Sequence, residues 1–215
     1  MAFVHTVAFL ADEFKRSMKE QLPAIDCFHI LNESLLQDLL RGAEKTDVYR
    51  RCVEQILLAA DAGAELIVVT CSSTSPAVDI VRGLTSSQVL KIDDPLAATA
   101  VRAGERIGVL CTATSTVDPS TSLLRTHALQ QQRSISIRTE VNPAAYRALM
   151  EGNRELHDDM VRESARKLAA EVDVLVLAQA SLAHLRKDLA VELSCPVLAS
   201  PPLLMQELQK LAAAK

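Results

Sequence analysis

The chain has 215 residues, 49% of them hydrophobic, and 23 Lys and Arg against 27 Asp and Glu give a formal net charge of −4. That is enough apolar material to bury a full core, in one domain or two small ones. With charges spread along the whole length, no tryptophan and no basic stripe among aromatics, a nucleic-acid footprint is excluded.

The N-terminus, Met1-Ala2-Phe3-Val4-His5-Thr6, has neither a basic region nor a long apolar stretch, so no signal peptide is read there. Residues 2–8 read as a first strand, 12–21 as a helix stopped before Pro23, 24–31 as a second strand and 33–41 as a short helix. Thr46 looks like the N-cap of a long helix over 47–62, with Gly63 as its C-terminal stop. Its apolar positions Val48, Cys52, Ile56 and Ala59 keep helical spacing and mark one buried face.

The stretch from Glu65 to Pro76 is the centre of the pattern. Residues 65–70 read as a strand whose Leu66-Ile67-Val68-Val69 run is apolar at every position, the mark of a strand buried on both faces in a parallel sheet. The run ends in Cys71, then Ser72, Ser73, Thr74 and Ser75, and Pro76 suits the first turn of a helix. In parallel α/β sheets the carboxyl ends of the strands form the ligand crevice. Cys71 is therefore expected at the mouth, with helix-start N–H groups favouring its thiolate or holding a carboxylate.

A helix over 75–81, a strand over 88–92 and a helix opening at Asp94-Pro95 complete the first half. The pattern then restarts. Arg106–Cys111 is a strand, and Thr112, Thr114, Ser115 and Thr116 lead through Pro119 into a helix reaching Gln131. A strand at 134–139, a short helix Pro143–Met150 and a long helix over 153–171 follow. Residues 173–178 form a strand with Gln179-Ala180-Ser181 at its end, 195–199 the last strand, and Pro201-Pro202 starts the final helix. His157-Asp158-Asp159, metal-like on paper, is read as a solvated helix face.

The halves match in spacing. Glu65 and Cys71 map onto Asp173 and Gln179 at one common offset, and Asp94-Pro95-Leu96 onto Pro201-Pro202-Leu203 within one residue of it. An internal duplication of a four-stranded parallel unit is the economical account. The expected fold is α/β, with two pseudo-symmetric flavodoxin-like lobes, each a four-stranded parallel sheet flanked by helices, and an active site in the interlobe cleft. The lobes are expected over 1–98, with the helix at 201–212 packing back on it, and over 99–200.

This organisation resembles the aspartate/glutamate/hydantoin racemase superfamily over essentially the whole chain. The family's first-half Val-x-Cys-Asn-Thr is matched by Val69-Thr70-Cys71-Ser72-Ser73, and its second-half Leu-Gly-Cys-Thr by Leu177-Ala178-Gln179-Ala180. The polar loop after the first strand is Val4-His5-Thr6, and the Thr-rich turn after the fifth is Cys111-Thr112-Ala113-Thr114-Ser115-Thr116. The resemblance implies cofactor-free chemistry at a carbon next to a carboxylate, one thiol removing the α-proton and a second returning one, with neither metal nor pyridoxal. The departure is Gln179, which donates and accepts hydrogen bonds but is no general acid or base at ordinary pH.

Cys71 and Gln179 are thus the candidate catalytic pair, with Cys111 as runner-up thiol. Ser72, Ser73, Thr112 and Thr114, with nearby backbone N–H groups, read as two carboxylate-binding nests or as ordinary helix caps. The candidate substrate-binding residues are His5, Thr6, Glu33, Ser72, Ser73, Thr112, Ala113, Thr114 and Ser181, with no metal site. Five scattered cysteines in no CxxC pair argue against disulfides and structural zinc. Without an apolar run near ~20 residues the chain is expected to be soluble and cytoplasmic. Its expected partner is a small carboxylate or amino acid, with no cofactor, nucleic acid or membrane, and with homo-oligomerisation left open. The functions in view are a racemase-like isomerase, a one-thiol decarboxylase or cis-trans isomerase, and a catalytically silent carboxylate binder.

Overall fold

The computed structural model describes residues 1–213. The chain divides into two compact units, Met1–Ile92 with the stretch from Leu204 onward, and Asp93–Leu203.

The first unit runs β1 (Ala2–His5), α1 (Ala8–Gln21), β2 (Phe28–Leu31), α2 (Ser34–Leu40), α3 (Lys45–Asp61), β3 (Leu66–Val69), a 3-10 turn (Ser72–Thr74), α4 (Pro76–Val81) and β4 (Gln88–Lys91). Its sheet is parallel throughout, in the order β2-β1-β3-β4. The central strands carry almost no polar residue because helices cover both faces. Val48, Cys52, Ile56 and Ala59 of α3 pack on Ala2, Val4, Ile67 and Val69, while Phe3 on the other face stacks on Phe14 of α1 at 5.5 Å between ring centroids. Burying each large side chain of this kind contributes about 1.5–3 kcal/mol. Thr46 is not the cap of α3. The helix starts two residues earlier, with the Asp47 and Val48 N–H groups donating to the Glu44 carbonyl at 3.1 and 3.3 Å. Gly63 ends the helix at φ +87°, a left-handed conformation that favours glycine.

The second unit repeats the plan: α5 (Asp94–Ala103), β5 (Arg106–Cys111), a 3-10 turn (Thr114–Thr116), α6 (Val117–Gln130), β6 (Ser136–Val141), α7 (Pro143–Met150), α8 (Arg154–Ala169), β7 (Val174–Leu177), a 3-10 helix (Ala180–Leu185), α9 (Arg186–Glu192) and β8 (Val197–Ala199). The last helix, α10 (Ser200–Ala213), begins in this unit and belongs to the first from Leu204. The sheet order, β6-β5-β7-β8, reproduces that of the first unit strand for strand. The division falls at Ile92 rather than residue 98, because Leu96, Ala97, Ala100 and Val101 of α5 pack on Ile107, Val109, Val174 and Val176 of the second sheet.

Two close approaches fix that sheet. A Cβ on Gly104 would lie 2.4 Å from Asp173 Cβ, and one on Gly108 would lie 2.9 Å from Leu168 Cγ. Asp173 Oδ2 accepts the Glu105 and Arg106 N–H groups at 3.1 and 2.8 Å, and Oδ1 takes the Arg106 guanidinium through Nε and Nη2 at 2.9 and 2.6 Å. These bonds hold the starts of β5 and β7 together, and those from Arg106 hold the Asp173 carboxyl below its usual range.

The segment 180–192, outside the elements expected from the sequence, is helical, with Leu182, Leu185 and Leu189 at spacings of three and four. His157 is not on a solvated face. It is buried at the start of the apolar stripe Val161, Ala165 and Leu168 of α8, where its Nδ1 bonds Asp158 Oδ1 at 2.7 Å. No helix among the described residues is long and apolar enough to cross a membrane.

Candidate active site

At the end of β3 the backbone stays extended through Cys71 (φ −124°, ψ 118°) and then tightens into the 3-10 turn. Pro76 follows at the first turn of α4, where its missing N–H costs no hydrogen bond. Cys71 is 9% exposed, and Ser72, Ser73, Thr74 and Ser75 are all buried around the turn. The Thr74 hydroxyl donates to the Cys71 carbonyl at 3.4 Å. A second thiol lies near, Cys52 of α3. Burial foremost, then Cys71's proximity, push it up to about 12 against a hydrogen bond from Thr74, so Cys52 stays protonated at neutral pH.

His5, at the end of β1, is fully buried and stacks among Phe3, Phe14 and His29. Its Nδ1 pairs with Thr70 Oγ1 and its Nε2 with His29 Nδ1, each at 2.8 Å. Burial, then the charges of His29 and Lys15, push His5 down to about 3, so the ring is neutral. It is a hydrogen-bonded core group that props Thr70, the residue before Cys71. His29 is a site neighbour that the sequence reading missed; it lies within β2 in register with Phe3, on the strand beside His5. Thr6 is different. Its hydroxyl is buried and lacks a hydrogen-bond partner among the described residues. Glu33 is exposed just before α2 and makes no side-chain cap.

At the equivalent end of β7, Gln179 is also extended (φ −133°, ψ 134°) and precedes a 3-10 helix. Its side chain reaches to the end of the neighbouring strand β5. There Oε1 accepts three hydrogen bonds, from Thr112 N–H at 2.5 Å, Thr112 Oγ1 at 3.1 Å and Ala113 N–H at 3.2 Å. Thr112 and Ala113 thus donate to the chain's own carboxamide, and the Thr112 N–H and hydroxyl, expected with Thr114 to serve a carboxylate, are engaged by Gln179. Thr114 is exposed at the start of its 3-10 turn. Ser181 is half-buried and accepts His184 Nδ1–H on its carbonyl at 3.0 Å. Asp158 Oδ1 and Oδ2 each lie 2.9 Å from His184 Nε2. Burial pushes the Asp158 carboxyl up, but the hydrogen bonds from His157 and His184 outweigh it and leave the group below its usual range.

Cys111, the runner-up thiol, is wholly buried in the apolar core with Val109 and Leu124. Burial, and then Glu140, push its thiol up to about 12, which disfavours the thiolate at neutral pH. Among the described residues no cluster of three or more His, Cys, Asp or Glu has the makings of a metal site.

Comparison with known proteins follows the same lines. The chain is 27% identical over 178 residues to a glutamate racemase of Rippkaea orientalis, covering 79% of this chain but only 60% of that protein's length. Among solved structures it is similar to glutamate racemase of Francisella tularensis in complex with D-glutamate (TM-score 0.76, 12% identity, 99% of this chain and 80% of that one). Allantoin racemase of Klebsiella pneumoniae (0.72, 17%, 99% and 87%) and aspartate racemase of Picrophilus torridus (0.70, 16%, 99% and 94%) share the fold. The family model described as Asp/Glu/Hydantoin racemase matches residues 6–208, which spans both repeats and both strand ends. By its duplicated sheets, its strand-end cysteine and this match, the chain belongs to the Asp/Glu/Hydantoin racemase family.

Proposed function

We propose that this protein is a cofactor-independent enzyme that moves a proton at the carbon alpha to a carboxylate of a small acid or amino acid, with Cys71 as the proton carrier. The observation that carries the reading is the setting of Cys71, at the end of a central parallel strand, before a helix start and inside a collar of buried hydroxyls. The hydroxyls of Thr6, Ser72 and Ser73 supply donors for a substrate carboxylate, and the unpartnered Thr6 hydroxyl is the best placed of them. The step uses the thiol alone: thiolate takes the α-proton, the enolate forms, and the same thiol returns a proton. The free state of all five cysteines fits a reducing, cytoplasmic setting.

Gln179 favours a second reading within the same chemistry. With a carboxamide where the family pattern has its second cysteine, only one proton carrier remains, as a decarboxylase protonating an enolate after loss of CO2 requires. Heavy-water exchange of the α-proton, run over a panel of small mono- and dicarboxylates, tests both. Exchange that vanishes in Cys71→Ser supports the thiol. Exchange that survives that substitution removes Cys71 from the mechanism, and a panel that shows neither exchange nor CO2 release leaves a silent binder.

A further inference from the structure

We propose that His184 is a proton-operated latch: with a proton on each ring nitrogen it clamps the 3-10 helix Ala180–Leu185 to the start of α8, and loss of one proton releases that helix. The protons follow from the partners. His184 Nδ1 lies 3.0 Å from the Ser181 carbonyl oxygen, and Nε2 lies 2.9 Å from both carboxylate oxygens of Asp158. A carbonyl and a carboxylate only accept, so both contacts are hydrogen bonds only when both nitrogens carry hydrogen, which makes the ring an imidazolium. A neutral imidazole has a single N–H and gives up one of the two. Burial pushes the Asp158 carboxyl up, but its two histidines bring it below its usual range, so it stays an acceptor.

His157 shares that carboxylate and is not the switch. Its Nδ1–H donates to Asp158 Oδ1 at 2.7 Å, and its Nε2 is buried with no hydrogen-bond partner among the described residues. A bare lone pair costs less there than an unpaired N–H on a charged, buried ring, so His157 is the neutral Nδ1–H tautomer. Its ring stacks on that of His184 at 6.4 Å between centroids. The other elements packed on the 3-10 helix bring few charges to it. β7 and β8 carry no titratable residue; α9 carries Arg186, Lys187, Asp188 and Glu192, and the two acids pair with Arg162 and Arg166 of α8. α8 is a firm post, since the Asn153 side chain and carbonyl accept the Leu156 and His157 N–H groups, each at 3.1 Å. The latched helix has the weaker 3-10 hydrogen bonds and runs six residues, beyond the three or four such helices usually reach. Leu182 and Leu185 tie it to the core, and His184 ties it to α8 through Asp158. It directly follows Gln179 at the carboxyl edge of its sheet, where parallel sheets carry their ligand loops, so acid stiffens and alkali loosens a segment of that edge.

The test is local, because acid also acts on His5 and His29 of the first unit and a global melt would mix the two effects. Nitrogen-15 spectra of the imidazole rings, recorded on the whole chain between about pH 5 and 9, report which nitrogens carry protons. Hydrogen exchange of the Leu182 and Arg186 N–H groups, which donate to the Gln179 and Ala183 carbonyls, reports the helix. At the acid end both His184 nitrogens should be protonated while His157 keeps only its Nδ1–H. As His184 loses its proton, the two amides should lose protection by about threefold or more after correction for intrinsic exchange. His184→Gln, neutral at every pH, should abolish that dependence. Protection that stays level while His184 titrates overturns the latch, as does a His184 ring that does not titrate in this range or a pH dependence that survives His184→Gln. Titration of His157 in place of His184 overturns it too. None of these outcomes depends on the reaction Cys71 performs, so the latch and the thiol chemistry fail separately.

Discussion

The ends of β3 and β7 have nearly the same backbone, extended through one residue and then coiled into a 3-10 turn. Their chemistry differs completely. Cys71 has a short side chain that stays at its own strand end among hydroxyls, whereas Gln179 is long enough to span to the neighbouring strand and take up donors there. Reach is the deciding property. A cysteine at 179 lacks the two further bonds that carry Oε1 to Thr112 and Ala113, so glutamine engages donors there that a thiol would leave open. The duplication conserves where a side chain emerges, and the side chain then decides what the position can do.

Four experiments break or sharpen that contrast. The largest effect is expected at Cys71. Cys71→Ser should cut α-proton exchange by roughly 100–10,000-fold, the range for loss of a positioned acid-base group, with a melting temperature within a few degrees of wild type. A collapse in stability with the loss of exchange would return Cys71 to the core.

Next is the frame of the second sheet, at the strand starts opposite Gln179. Gly104→Ala drives a Cβ to 2.4 Å from Asp173 Cβ, which cannot swing away while Asp173 holds Arg106. A destabilisation of about 2–3 kcal/mol is expected, a drop of roughly 5–10 °C in Tm. Gly83→Ala, with nothing within 4 Å of its new Cβ, is the control and should melt near wild type.

The third experiment addresses acid, to which the first unit brings buried His5 and its half-buried partner His29. His5 has a folded pKa pushed down from 6.5 to about 3, and His29 is lowered too. A depressed histidine leaves the unfolded chain holding more protons, so its stability contribution is intact above pH 6.5 and is lost as pH falls from there toward about 3. At pH 5 the loss from His5 is on the order of 2 kcal/mol. Thermal melts of His5→Gln should show a shallower fall between pH 7 and 5, and identical slopes would refute the neutral pair.

The smallest effect tests the equivalence of the strand ends directly. Wild-type exchange should retain configuration, since one thiol removes and returns the proton. Gln179→Cys restores the family's second cysteine and should add inversion, faintly, because a misplacement of ~1 Å can cost ~100-fold. Efficient racemisation by the unmodified protein would end the one-thiol reading.

Much of the fold was legible because it is written in short-range pattern. The apolar run before Cys71, the helical stripe of Val48, Cys52, Ile56 and Ala59, and the common offset between the halves each follow from periodicities of the backbone itself. Boundaries and caps were less legible: Thr46 is a good cap by type, yet the first turn of α3 closed on Glu44 instead. His157 misled because charge at Asp158 and Asp159 outweighed one apolar stripe position in the reading.

The sequence by itself determined the duplicated parallel architecture, the emergence of Cys71 and Gln179 at equivalent strand ends and the family to which the pattern belongs. Only the tertiary structure decided the state of the groups around them: His5 neutral and stacked, Cys111 sealed in the core, Thr6 left with an unpartnered hydroxyl, and the Thr112 and Ala113 donors engaged by Gln179. The reason is physical. Strand and helix periods are local properties of consecutive residues, whereas burial, tautomer and hydrogen-bond occupancy depend on partners tens of residues away, which no spacing along the chain discloses.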